Sequence, residues 1–367
     1  GPAGENLVEY AAILHTAARA AGRGGVGCVM GSKNLKAIAI RGTRVPPVAD
    51  HKRFVTLLEE ARQGFKGAPL TESWRRYGTA SSIVTSSDAG SQAVKNYREG
   101  TFPEAAQISG VAAEKRIWVR DFACFCCPLA CKKSGAVRSG PYAGLVHDGP
   151  EYETGTMLGA NLLISDLEGL MKAIYDVDDY GLDQISTGNV LGFLMEAYEK
   201  GYIDSAFLDG LDLKWGDVPS TIQMIGKIAR REGVGDLASK GVRALAEKIG
   251  QDSSKFAIHV KGHELAAWNV HGSTSRAVCY ATANRGACHL NGGNPRAQNN
   301  TAMNDCTGLC SFAQGGFRPG LLRELLSSIT GEEWTDEDYA KTGERVYNLE
   351  KAMNYREGFR REDDNLP

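Results

Sequence analysis

Residues Asp121 to Lys133 read DFACFCCPLACKK. The stretch places Cys124, Cys126, Cys127 and Cys131 within eight residues of a chain that holds nine cysteines. Thiols this crowded suit another thiol, a zinc ion or an iron–sulfur cluster. The odd total and the length of the chain argue against disulfide staples, and in a reducing compartment such a cluster more often binds metal. Cys124-x2-Cys127-x3-Cys131 offers three ligands from one tight loop, with Pro128 keeping it out of helix. Zinc and cubane sites both want four ligands. A zinc site brings paired C-x-x-C units or spaced histidines. The following KKSGAVRSGPYAGL brings neither, and His147 is the nearest histidine, without a companion. The x2, x3 rhythm favours iron–sulfur over zinc and over plain buried thiols, and leaves all three open. Cys126 rivals Cys124, but only Cys124 gives that rhythm.

A fourth thiolate must come from Cys28, Cys279, Cys288, Cys306 or Cys310. An internal echo bears on the choice. Residues 178–183 read DDYGLD and residues 305–310 read DCTGLC, both Asp-x-x-Gly-Leu-[Asp/Cys]. Glycine in fourth place suits a left-handed residue at a helix end. Taken singly, each is an ordinary helix C-cap. Taken together, they read as two similar elements presenting a carboxylate and backbone groups to one ligand, with Cys310 brought to its edge.

The elements that must position these residues read as mostly helical. HKRFVTLLEEARQGFKG predicts a helix with Phe54, Leu57, Leu58, Ala61 and Phe65 on one face. Ser165 with Glu168 predicts a capping box before a helix that runs into the first echo element. TGNVLGFLMEAYEKG, STIQMIGKIARREG, DLASKGVRALAEKIG and RVYNLEKAMNY predict further helices. LKAIAIRG and KFAIHVKG are the strand-like runs. Composition breaks at RVPPVAD and GDVPST divide the chain into a leading piece (1–46) and two helical domains (47–217 and 218–367). With 42% apolar and 23% charged residues and a net charge of −2, the chain has no basic footprint for nucleic acid. No run approaches the roughly 20 apolar residues of a membrane span, and no signal-type segment opens it. Cytoplasmic location is the default expectation.

GPAGENLVEYA, AGRGGVGCVMGSKNLKAIAI, the cysteine loop, GPEYETG, DYGLDQISTGN, YATANRGACHLNGG, DCTGLC and NYREGF occur in that order. Together they resemble the tungsten-containing aldehyde ferredoxin oxidoreductase family, end to end. The resemblance implies a mainly α fold, with two helical domains gripping a cofactor and a short remnant of an N-terminal β-rich domain. It implies that Cys124, Cys127, Cys131 and Cys310 ligate one [4Fe–4S] cluster. Asp178, Leu182 and Asp183 in the first echo, with Asp305 and Leu309 in the second, would contact the pterins of a tungsten bis-molybdopterin cofactor, with Mg bridging the pterin phosphates. Arg23, in a glycine loop suited to close anion approach, would contact pterin phosphate; the lesser alternative from composition is a flexible surface loop. Glu153 and His289 match the residues beside the metal, as general base and as hydrogen-bond donor to developing charge. Without the resemblance they read as a solvated acid and a core histidine. Glu151 and Tyr152 stand next in line. The implied reaction is oxidation of an aldehyde substrate to a carboxylate, with electrons leaving through the cluster to ferredoxin or an iron–sulfur partner subunit, in an assembly that can be oligomeric. The alternatives are the tungsten subunit of a benzoyl-CoA-type reductase and a non-catalytic iron–sulfur relay. Family chains are longer at both ends, so this chain is expected to lack part of the pterin cover. Asn291 replaces a residue that is commonly basic in that family.

Overall fold

The computed structural model describes residues 1–16, 18–66 and 68–367 of the chain. Helices dominate, and among the described residues three small antiparallel sheets interrupt them. One buried apolar cluster runs from Ala3 to Ala287. At its centre lies the helix Gln184–Glu199. Every residue from Ile185 to Ala197 in it is buried, so apolar and small side chains surround its whole circumference. The helix Leu167–Tyr180 packs against Val218–Arg230, and both lie against this centre. A smaller apolar cluster joins Leu57 and Ala61 of His51–Gly64 to Leu321 and Leu325 of Leu321–Thr330.

Several sequence expectations are met. His51–Gly64 buries Leu57, Ala61 and the following Phe65, as its periodicity requires, although Leu58 is 42% exposed. Others are corrected. The helix after Ser165 is capped by Asp166, whose side chain accepts from Glu168 N. Aspartate outcompetes the neighbouring serine here because its carboxylate also complements the positive helix end. DLASKGVRALAEKIG splits into Val234–Ala238 and Gly241–Ile249. LKAIAIRG forms no strand: residues 35–42 find no pairing partner among the described residues, and Ile38 and Ile40 are 67% and 90% exposed. A strand exists only by pairing, which β-propensity cannot supply. KFAIHVKG gives only His259–Val260, paired with His263–Glu264.

The end of His51–Gly64 approaches residues 311–316 closely. A Cβ at Gly64 would sit 1.7 Å from the carbonyl oxygen of Gly316. Gly64→Ala is therefore expected to force the two backbones apart and to lower stability by about 1–3 kcal/mol, measured by thermal unfolding against a Gly42→Ala control, where nothing lies within 4 Å.

Candidate functional site

The cysteine loop is the tip of a β-hairpin. Strands Trp118–Phe122 and Lys132–Ala136 pair with Phe122 opposite Lys132, leaving residues 123–131 to form the connection. Cys127 N donates to Cys124 O at 3.0 Å, closing a turn that brings those two residues together. Left-handed backbone at Cys126 (φ 56°) and Ala130 (φ 51°) folds the remainder back on itself. Beneath the loop, the buried Lys133 ammonium donates to the carbonyls of Ala130 and Arg75 and pairs with Asp121 at 3.0 Å. Cys127 and Cys131 are half-buried against Leu129, Phe65 and Ala313; Cys124 and Cys126 are exposed.

Leu309 and Phe312 pack on the same apolar cluster as Cys127 and Cys131, and the Phe312 ring lies 4.7 Å from that of Trp74. The segment that carries Cys310 is thus laid beside a loop 179 positions earlier in the chain. No three His, Cys, Asp or Glu side chains among the described residues are gathered tightly enough to hold a single metal ion. Of the four proposed thiols, Cys127 and Cys131 pack on this apolar floor while Cys124 and Cys310 are exposed at its side, and an all-thiol donor set suits an iron–sulfur cluster. A mononuclear ion would need its ligands drawn onto one tetrahedron.

The two echo elements share their backbone geometry. Gly181 (φ 78°) and Gly308 (φ 69°) are both left-handed, and each donates its N–H to the preceding aspartate carbonyl at 3.0 Å. Each motif's last residue then caps the next element. Asp183 caps Gln184–Glu199, and Cys310 precedes the 3-10 turn Ser311–Gly316. Side-chain environments differ. Asp178 is engaged by His147 Nε2 at 2.9 Å and by Gln184 Nε2 at 2.7 Å. Leu182 is buried and bridges to Ala11. Asp305 is exposed with no side-chain partner among the described residues, and Leu309 is half-buried.

Arg23 is mostly buried. Its guanidinium donates to Asp183 Oδ2 (3.2 Å), Ala287 O (3.0 Å) and Glu264 O (2.5 Å), tying the glycine loop to three distant segments. Arg19, which sequence reading passed over, pairs with Glu151 and lies 3.7 Å from Asp148. Its Nε and Nη2 are buried without a hydrogen-bond partner. Its field also reaches Cys131. Two donors without a hydrogen bond on a half-buried cation beside the thiol loop can take an anion. The only hint in the sequence was its nearness to the glycine loop.

Glu153 and His289 meet. Glu153 lies on the short helix Tyr152–Met157, capped by Glu151 with Thr154. Its Oε2 accepts from Ala267 N at 2.9 Å, while Oε1 is 3.7 Å from His289 Nε2 and has no hydrogen bond. Burial pushes the carboxyl up to about 7, against the opposing pull of the Ala267 amide and Arg23. Burial, reinforced by Arg23, Arg276 and Arg285, pushes His289 down to about 4. A neutral imidazole therefore faces a half-ionised carboxyl at neutral pH. Two thiols fix the turn around His289. Cys279 Sγ donates to Cys288 O at 3.1 Å, and Cys288 Sγ accepts from Arg285 Nη2 at 2.6 Å and from Leu290 N.

Three unpartnered buried atoms belong to this pair and the turn beside it: Glu153 Oε1, His289 Nδ1 and Asn291 Oδ1. A protein core rarely strands this many polar groups, so the residues present fit a polar, hydrogen-bonding group larger than themselves. Carboxyl, imidazole and amide edges can receive such a group, exchange a proton with a substrate and hold a carbonyl oxygen.

The family described as aldehyde ferredoxin oxidoreductase, domains 2 & 3, matches residues 56–367, and the description of its N-terminal domain matches residues 1–42. The tungsten-containing aldehyde ferredoxin oxidoreductase of Pyrococcus furiosus is 39% identical over the whole of this chain, which spans 64% of that protein's length. An aliphatic sulfonate oxidoreductase, WOR-like subunit, from the same organism is 33% identical, with 61% of its length covered. In fold the chain matches the active-site complex BamBC of benzoyl coenzyme A reductase, solved with 1,5-dienoyl-CoA. The TM-score is 0.81 at 19% identity, covering 100% of this chain and 66% of that one. With that match in domains and sequence, the chain belongs to the aldehyde ferredoxin oxidoreductase family.

Proposed function

We propose that this chain forms the catalytic part of a tungsten-dependent oxidoreductase that converts aldehydes to carboxylates and passes electrons through a [4Fe–4S] cluster to ferredoxin or an iron–sulfur partner. The observation that carries the reading is the pairing of Glu153 with His289, 136 residues apart in sequence, at 3.7 Å and with Glu153 Oε1 and His289 Nδ1 free of hydrogen bonds. Thiolates of Cys124, Cys127, Cys131 and Cys310 would hold the cluster. Arg19, Arg23, Asp178, Leu182, Asp183, Asp305 and Leu309 would line the pterin side. When bound, the tungsten–pterin group supplies Lewis acidity and a two-electron acceptor.

The protein's part follows from its own atoms. An aldehyde plus water yields a carboxylic acid, two protons and two electrons, so a base must stand by the reacting carbon. Glu153 Oε1 is that base. The Ala267 amide pins Oε2, and the raised pKa places proton uptake in the neutral range. His289, neutral, donates an N–H to the substrate carbonyl oxygen as negative charge builds on it. The bracket formed by Cys279, Cys288 and Arg285 holds the turn that carries that imidazole.

Protein purified without oxygen should contain tungsten and about four irons per chain, and should reduce a viologen dye with short aldehydes. Iron without tungsten or molybdenum would instead make it an electron relay. Dye-driven reduction of benzoyl-CoA, or dye reduction with alkanesulfonates and not with aldehydes, would reassign the substrate.

A further inference from the structure

One buried acid takes no part in the proposed chemistry. Glu264, at the end of the hairpin His259–Val260/His263–Glu264, is 3% exposed. Its Oε1 accepts from Val242 N at 3.0 Å, and its Oε2 lies 2.8 Å from Ser186 Oγ. That same hydroxyl lies 2.9 Å from Asp183 Oδ2. A serine hydroxyl has one proton to donate, so it can serve only one of two carboxylates. Asp183 already accepts from Ile185 N (3.0 Å), Ser186 N (3.3 Å) and Arg23 Nε (3.2 Å). A second ionised carboxylate on one hydroxyl in a dry core would be both unsatisfied and repelled.

We infer that Glu264 is held as a neutral carboxylic acid. Its O–H donates to Ser186 Oγ, which turns the serine proton onto Asp183 and so positions that carboxylate against Arg23. Oε1 is then the carbonyl-like oxygen, matching the amide of Val242 that points at it. Burial pushes the Glu264 carboxyl up, against Val242, Ser186 and Arg23. The charged and titratable groups facing it are Arg23 on the glycine loop, Asp183 on the central helix and Tyr10 near the N-terminus, whose own hydroxyl donates to Ala238 O. Glu264 is thus a positioning residue for Asp183. The functional consequence rests on the reading of Asp183 as a pterin contact, whereas the proton assignment does not.

Glu264→Gln preserves the pattern, since an amide can accept from Val242 and donate to Ser186. Infrared spectra of wild-type protein at pH 7 should show the carbonyl stretch of a buried carboxylic acid that Glu264→Gln removes, with Glu153→Gln run alongside to separate the band of Glu153. Stability should also diverge with pH. A raised folded pKa gives a contribution present below the ordinary carboxylate range and lost as pH rises through the folded value. Glu264→Gln should therefore match wild type at low pH and exceed it at high pH. Tungsten and pterin content should survive in Glu264→Gln and fall at least tenfold in Glu264→Ala. The inference is overturned if Glu264→Gln removes no band, or if it loses cofactor as fully as Glu264→Ala. Wild-type protein that shows the band but carries no tungsten would sink the functional reading alone.

Discussion

Glu153→Gln is expected to cut aldehyde turnover by about 10²–10⁴, the usual contribution of a positioned general base, while tungsten and iron contents stay at wild-type levels. The amide is close in shape to the carboxyl and can still accept from Ala267 N, so the turn into residues 266–268 should be undisturbed. What the variant lacks is the ability to take a proton at the edge facing His289. The wild-type rate should rise with pH as Glu153 ionises around 7, and that limb should vanish in the variant. An unchanged rate at every pH would remove Glu153 from its role.

The same substitution makes a stability prediction of opposite sign. Burial raises the folded pKa of Glu153 to about 7 from an ordinary value of 4.5. Its stabilising contribution is thus present below pH 4.5 and lost as pH rises through 7. Gln carries no such loss. Chemical unfolding should find the variant equal to wild type near pH 4 and more stable by about 2 kcal/mol at pH 8. That figure is set below the full linkage value because the side chain keeps 26% of its surface open. Lower activity with higher stability is the signature of a group kept for chemistry at a cost to the fold.

Cys310→Ser should be equally severe for the metal. The Cys124-x2-Cys127-x3-Cys131 spacing offers three thiolates, and a cubane takes four. Loss of Cys310 should drop iron from about four per chain to three or fewer and bleach the visible charge-transfer absorbance. Cys126→Ser and Cys306→Ser, both exposed thiols beside proposed ligands, should leave iron and absorbance intact. If Cys310→Ser keeps its full cluster while one of those controls loses it, the fourth ligand has been misassigned.

Much of the site was legible in the chain because it is local. The x2, x3 spacing of the thiols, the two Asp-x-x-Gly-Leu helix ends and their left-handed glycines are short-range features, and backbone sterics alone fix what Gly181 and Gly308 must do. The amphipathic stripe of His51–Gly64 was equally readable. The strand-like run at 35–42 failed for the complementary reason: a sheet is a relation between distant segments, and apolar alternation names no partner. The hairpin that presents the thiol loop was missed for the same cause, since its strands carry Arg120, Asp121, Lys132 and Lys133.

By itself, the sequence determined which residues could do redox chemistry and in what order they come along the chain. Only the tertiary structure decided that Glu153 and His289 face one another, that His147 holds Asp178, and that Glu264 shares a serine with Asp183. Those pairings span long stretches of chain, and a side chain's protonation and partners depend on what packing brings within a few ångströms and on how much water packing removes. Neither quantity is written in any one segment.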